Sequence, residues 1–111
     1  MGAFARGSVV LVDFPFTNLT GSRVRPALVL ADLPHDDYIL CMITSSQYSS
    51  PYAIELKKAD FSRGELPNTK SYIRPERLFT VEEKKLKRSV GELTLSKEGE
   101  VKQKLHTILC S

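Results

Sequence analysis

Three short apolar runs, each cut off by proline, glycine or a polar turn, limit what this chain can become. Ser8–Phe14 (SVVLVDF) ends at Pro15, Ala27–Ala31 follows Pro26, and Tyr38–Thr44 (YILCMIT) runs into a serine-rich stretch. All three are rich in Val, Ile and Leu and too short for helices, so they read as strands. The second and third lack a strict apolar–polar alternation. A strand with that pattern is covered on both faces, which places these two at the centre of a small, strongly curved sheet.

The connections fit that reading. Phe16–Ser22 is a loop with turn chemistry at Asn18 and Gly21, Leu33–Asp37 is a turn, and Ser45–Pro51 is a polar loop. Tyr52–Leu56 alternates as a half-exposed strand does, and Lys57–Lys70 is a connection with a little strand or turn structure. Ser71–Arg74 is a short strand checked by Pro75 and continued by Arg77–Thr80. Thr80-Val81-Glu82-Glu83 has the form of a capping box and predicts a short helix to about Arg88. Ser96 is placed to cap a second helix reaching about Leu109, with Val101, Leu105, Ile108 and Leu109 on one face. The chain is therefore predicted to be mainly β, an SH3-like small barrel of five to seven antiparallel strands with a C-terminal helix. Its 111 residues make one domain, residues 1–111.

With 41% hydrophobic and 26% charged residues the chain is too apolar for a disordered one. No apolar stretch approaches the length of a membrane span, and the first residues lack the pattern of a secretion signal, so a cytoplasmic protein without a membrane partner is expected. Cys41 and Cys110 form no metal or redox motif and read as two reduced thiols.

The net charge of +3 says little until it is resolved along the chain. Residues 1–31 carry three Arg against one Asp, and residues 61–90 carry eight bases against four acids. Residues 32–60 carry two Lys against five acids. The surplus thus gathers around Arg23 and Arg25 and from Arg63 to Arg88, and would form a phosphate-facing side if the fold joined them. Lys84, Lys85, Lys87 and Arg88 have a plainer reading as the solvated side of the short helix.

Metal chemistry has no support: Asp36-Asp37 and Glu82-Glu83 have no histidine at ligand spacing. His35 lies in a turn and His106 on the terminal helix, and neither is placed for catalysis. There is no phosphate-binding glycine loop or nucleophile motif. An enzyme built on this chain must work without histidine, metal or cofactor.

Two segments carry more chemistry than a scaffold needs. In Arg23-Val24-Arg25-Pro26, the proline holds Arg25 extended, so a planar fork of donors is presented from a defined backbone. In Ile43-Thr44-Ser45-Ser46, hydroxyls emerge where an apolar strand stops, within reach of a phosphate or a ribose 2′-OH. Taken singly, the first is equally a salt bridge and the second equally a turn.

In combination these segments resemble a known family. Gly7–Phe16, then Arg25-Pro26-Ala27-Leu28-Val29-Leu30, then Ile43-Thr44-Ser45 look like the MazF/PemK toxins of bacterial type II toxin–antitoxin systems. Ser71–Val81 is similar to a PemK-like branch. The resemblance implies a homodimeric SH3-like barrel that cleaves single-stranded RNA, mRNA above all, without metal or cofactor. It also implies a cognate antitoxin protein whose C-terminal segment occupies the RNA groove, and contact with operator DNA through the toxin–antitoxin complex. Arg25 and Thr44 match the family's catalytic Arg and Thr. Asp13–Asn18 and Ser71–Arg77 match groove-lining segments, which makes Phe16, Thr17, Asn18, Arg23, Ser45, Ser71, Tyr72, Arg74 and Arg77 the candidate RNA-binding residues. Phe16 and Tyr72 are candidate stacking platforms, with a core role as the alternative. The chain departs from several members at Phe79, where they carry a basic residue.

The implied reaction is attack of the RNA's own 2′-OH on the adjacent phosphorus. The enzyme then supplies positioning and charge stabilisation only. The same barrel also resembles CcdB, a toxin that binds DNA gyrase without cleaving RNA, for which Arg25 and Thr44 would be incidental. A third reading is a catalytically silent member that acts through its antitoxin and operator DNA.

Overall fold

A computed structural model describes residues 3–14, 23–45, 50–67 and 70–110, apart from the side chains of Phe14 and Arg23. Seven strands precede one helix: β1 Ser8–Phe14, β2 Arg23–Leu33, β3 Asp37–Thr44, β4 Ile54–Leu56, β5 Phe61–Gly64, β6 Ser71–Glu82, β7 Leu86–Leu93, then α1 Leu95–Leu109. They form one antiparallel sheet in the order β4-β6-β3-β2-β1-β7-β5. The edge strands β4 and β5 are joined by the short turn Lys58–Asp60, so the sheet must curl to bring its two ends together. The result is a half-barrel, and the mainly β architecture matches the expectation.

The unbroken apolar runs have a direct cause. Successive residues of the central strands feed two different clusters on opposite faces. Val9, Leu28, Cys41 and Ile43 join Ile54, Leu56, Ile73 and Leu93 in one, closed by Val101 of α1. Val10, Val12, Ala27, Val29, Tyr38 and Leu40 join Leu86 in the other. Both positions of each pleat are therefore buried, and polar alternation disappears.

Three expectations need correction. Thr80–Glu83 does not start a helix: β6 continues to Glu82, a 3-10 turn covers Glu83–Lys85, and β7 returns at Leu86. Val81 pairs with Tyr38 and Leu86 with Val12, so strand pairing outweighs the local capping pattern, and no side chain caps Glu82. The helix is capped by Thr94, whose side chain accepts from Lys97 N at 3.2 Å, rather than by Ser96. Of the expected apolar stripe, Val101 is buried and Leu105 packs on the core, while Leu109 is 67% exposed.

Pro75 does not end its strand. The β3–β6 register jumps from Met42↔Arg74 to Cys41↔Leu78, leaving Pro75, Glu76 and Arg77 as an inserted bulge. A proline costs no ladder hydrogen bond there. The helix is tied down by Lys97, whose ammonium donates to the Glu55 carbonyl (3.2 Å) and Glu100 (2.8 Å) and lies 3.5 Å from Asp60. Among the described residues no helix is long and apolar enough to cross a membrane.

Gly64 holds φ +75°, and a Cβ there would strike the Val90 carbonyl. Gly64→Ala should cost about 2 kcal/mol or more and lower Tm by roughly 10 °C, read by thermal denaturation. Both cysteines are free, Cys41 buried and Cys110 exposed. Burial, with the nearby Glu76 carboxylate adding to it, pushes the Cys41 thiol up to about 12. A thiol reagent at pH 8 should therefore modify one cysteine per chain quickly and the second only in denaturant. Because the folded state holds that proton more tightly, the contribution is intact below about pH 9 and is lost as pH rises towards 12.

Candidate functional site

The antiparallel order brings the end of β1, the start of β2, the end of β3 and the start of β6 to one end of the sheet. A groove of about 560 Å³ opens across it. Its apolar walls are Leu11, Val24, Pro26, Ile43, Leu66 and Pro67; its polar residues are Arg25, Thr44, Ser45 and Ser71. Four of the residues singled out in the sequence thus meet in one concavity. No carboxylate-bearing residue lines it, among the described residues, so its one formal charge is the Arg25 guanidinium.

The strand register explains why these residues converge. The β2–β3 ladder pairs Leu28 with Cys41 and Ala27 with Met42. Carried two residues further, the same register sets Arg25 opposite Thr44. Thr44 in turn pairs with Tyr72 on β6. Arg25, Thr44 and Tyr72 thus occupy one cross-strand row on one face of the sheet.

The polar bookkeeping separates the two arginines of this region. Arg74 is already engaged: its Nε donates to Glu76 Oε2 at 3.0 Å and its Nη2 lies 2.9 Å from the same oxygen. Ser50 Oγ also donates to that oxygen at 3.2 Å. Arg25 differs, because its Nε is buried and has no acceptor. A buried donor left unmatched costs about 1–3 kcal/mol, which an incoming acceptor would recover. Asp13 Oδ1 and Glu76 Oε1 are likewise buried without a donor.

The other candidates are spread more widely. Ser71 is buried in the groove wall, and Arg77 is exposed on the β6 bulge. Arg23 opens β2 opposite Phe14. Phe16, Thr17 and Asn18 lie outside the described residues. His35 sits in the β2–β3 turn at φ 65° and His106 is exposed on α1, and neither lines the groove. Sequence reasoning undervalued Arg88. It was paired with the solvated side of a helix that does not form; instead it lies on β7, exposed, opposite the groove residue Leu11. Recognising Leu86–Leu93 as a strand would have been the signal.

Residues 5–109 match the family model of the PemK-like, MazF-like toxin of type II toxin–antitoxin systems. The chain belongs to the PemK/MazF toxin family. Among solved structures it is similar to an endoribonuclease in complex with its cognate antitoxin from a mycobacterial species, with 20% identity, 97% of this chain and 96% of that one covered, and TM-score 0.76. It is also similar to a chain of the MazE–MazF complex from Deinococcus radiodurans (19% identity, 96% of each chain, TM-score 0.73). Another similar structure is the Mycobacterium tuberculosis toxin MazF-mt6 (19% identity, 90% of this chain and 93% of that one, TM-score 0.66). No curated protein matches significantly. At these identities the PemK/MazF likeness among structures speaks for the half-barrel fold.

The Arg74–Glu76 pair holds the β6 bulge beside this PemK/MazF groove, with side chains only 12% and 20% exposed. Glu76→Ala should destabilise the protein by about 3 kcal/mol, because it strands a nearly buried guanidinium, whereas Arg77→Ala should cost under about 0.5 kcal/mol. Urea denaturation of the two variants reads the difference.

Proposed function

We propose that this PemK/MazF-family chain is a metal-independent endoribonuclease of a type II toxin–antitoxin system, cutting single-stranded RNA, mRNA above all, in the groove at the end of the sheet. The single observation that carries the reading is the buried, unmatched Arg25 Nε in a groove that also holds Thr44 and no carboxylate. A phosphate oxygen is the acceptor such a site suits best.

In the proposed reaction the ribose 2′-OH attacks the adjacent phosphorus, its proton leaves, and the P–O5′ bond breaks. The products are a 2′,3′-cyclic phosphate and a 5′-OH. The substrate brings the nucleophile, so the protein has to align it and stabilise charge on the phosphorane oxygens. Arg25 donates to a non-bridging oxygen, and the Thr44 hydroxyl bonds a second oxygen or the 2′-OH. Tyr72, in the same row, is placed to meet an unpaired base. DNA lacks the 2′-OH and is not cleaved.

As a toxin of this kind the chain would work as a homodimer and be silenced by an antitoxin protein covering the groove. The likeness to an endoribonuclease bound to its cognate antitoxin supports both parts of the reading.

The test is purified protein with mixed-sequence single-stranded RNA in EDTA. Cleavage leaving 2′,3′-cyclic phosphate ends is expected. Arg25→Ala should lower kcat by about 100–1,000-fold, the usual cost of losing one such donor, and Thr44→Ser should retain more activity than Thr44→Val. No cleavage across varied sequences, or full activity in Arg25→Ala, would contradict the reading.

A further inference from the structure

The groove does not end at Leu66 and Pro67. A second cavity, of about 270 Å³, shares Leu66, Pro67 and Ser71 with it, so the two are continuous. It sits where the edges of the half-barrel face each other, between Leu56 at the end of β4 and Phe61 at the start of β5. Leu56 is buried and Phe61 is half-buried, and together they make an apolar floor. The Phe61 ring is seated against Gly91, where a Cβ would come within 2.9 Å of its Cδ2. The mouth is basic, with Lys57 and Lys58 both exposed. Lys58 lies 3.5 Å from Glu65, but both side chains are well hydrated, and a pair of that kind is easily exchanged for a phosphate. Lys57 makes no ion pair among the described residues.

We propose that this cavity is a subsite for one unpaired nucleotide of the RNA strand that flanks the cleaved bond. Its base lies on the Phe61–Leu56 floor, and Lys57 and Lys58 hold its phosphate. The inference rests on the RNA-cleaving reading above and adds a substrate contact to it. An aromatic, apolar floor accepts any base face, so the subsite rewards strand length more than sequence. The enclosed shape suits a splayed single nucleotide and excludes a duplex, as single-strand recognition requires. The lysines lie in the segment 32–60 that is acidic overall, so their basic mouth is a local feature that the segment charge conceals.

The experiment compares the full chain with Lys57→Gln/Lys58→Gln on single-stranded RNAs that share one cleaved bond and extend it by zero to four nucleotides on either side. In the wild type, KM should fall by about 10-fold once an extension on one side reaches the subsite. The double variant should lose that gain at unchanged kcat, and the slope of log affinity against log salt should become shallower by about 1.4, or ~0.7 per phosphate contact. Lys57→Glu/Lys58→Glu should deepen the loss. An abasic nucleotide at the stimulating position should remove the gain in wild type. If the double variant keeps the wild-type length dependence and salt slope, the subsite is wrong and the cleavage reading stands. If the abasic strand keeps the gain, the floor binds no base. If the wild type cuts none of the RNAs, the cleavage reading fails and the subsite fails with it.

Discussion

The fold depends on burying both faces of the same strands. In β1, β2 and β3, neighbouring residues such as Val9 and Val10, Leu28 and Val29, or Leu40 and Cys41 enter opposite clusters. A short sheet can satisfy that only by curling until its edges meet on one side and by finding cover on the other. The β4–β5 turn, the helix and the Phe4–Tyr38 contact supply the closure. Phe4 and Tyr38 meet edge to face at 5.9 Å, and the Tyr38 hydroxyl donates to Glu83 at 2.7 Å. Burial, with that hydrogen bond second, raises the Tyr38 phenol above its ordinary range and keeps it protonated at neutral pH.

The same constraint decides where polar chemistry can reside. Strand centres are filled with hydrocarbon, so charged and hydroxyl groups are admitted only where strands stop. Pro26 leads Arg25 into β2, and Thr44 closes β3. Antiparallel order then brings those ends together, and the register sets the two residues opposite each other. The guanidinium sits half inside the fold with its Nε unmatched. Nearby, Glu76 satisfies Arg74 and leaves that second fork bound within the protein. A scaffold with no use for an anion would have no reason to keep one arginine matched and the other waiting.

Much of this was legible in the residues, for identifiable reasons. Ser8–Phe14 and Tyr38–Thr44 read as strands because their apolar runs leave no alternative at that length. Arg25 and Thr44 stood out because each sits at the boundary of such a run, and the groove brings both together. What escaped the sequence was settled by long-range pairing. The Thr80–Glu83 capping pattern is sound locally, yet Val81 and Leu86 have partners in β3 and β1 that a helix would forfeit. Losing β7 to that helix also hid Arg88 beside the groove. Pro75 resembled a stop because the bulge that accommodates it exists only in the paired sheet. Arg74 looked like a free base because its partner Glu76 belongs to the same bulge.

The central claim is that Arg25 Nε–H is a donor waiting for a phosphate oxygen. Proton–nitrogen NMR of the arginine Nε–H groups tests it most directly, with the protein titrated by RNA made uncleavable through a single 2′-deoxy substitution at the scissile nucleotide. The account predicts a downfield shift of the Arg25 Nε–H resonance on saturation, while that of Arg74, already bonded to Glu76, stays near its starting position. RNA that binds while leaving the Arg25 resonance in place would contradict it.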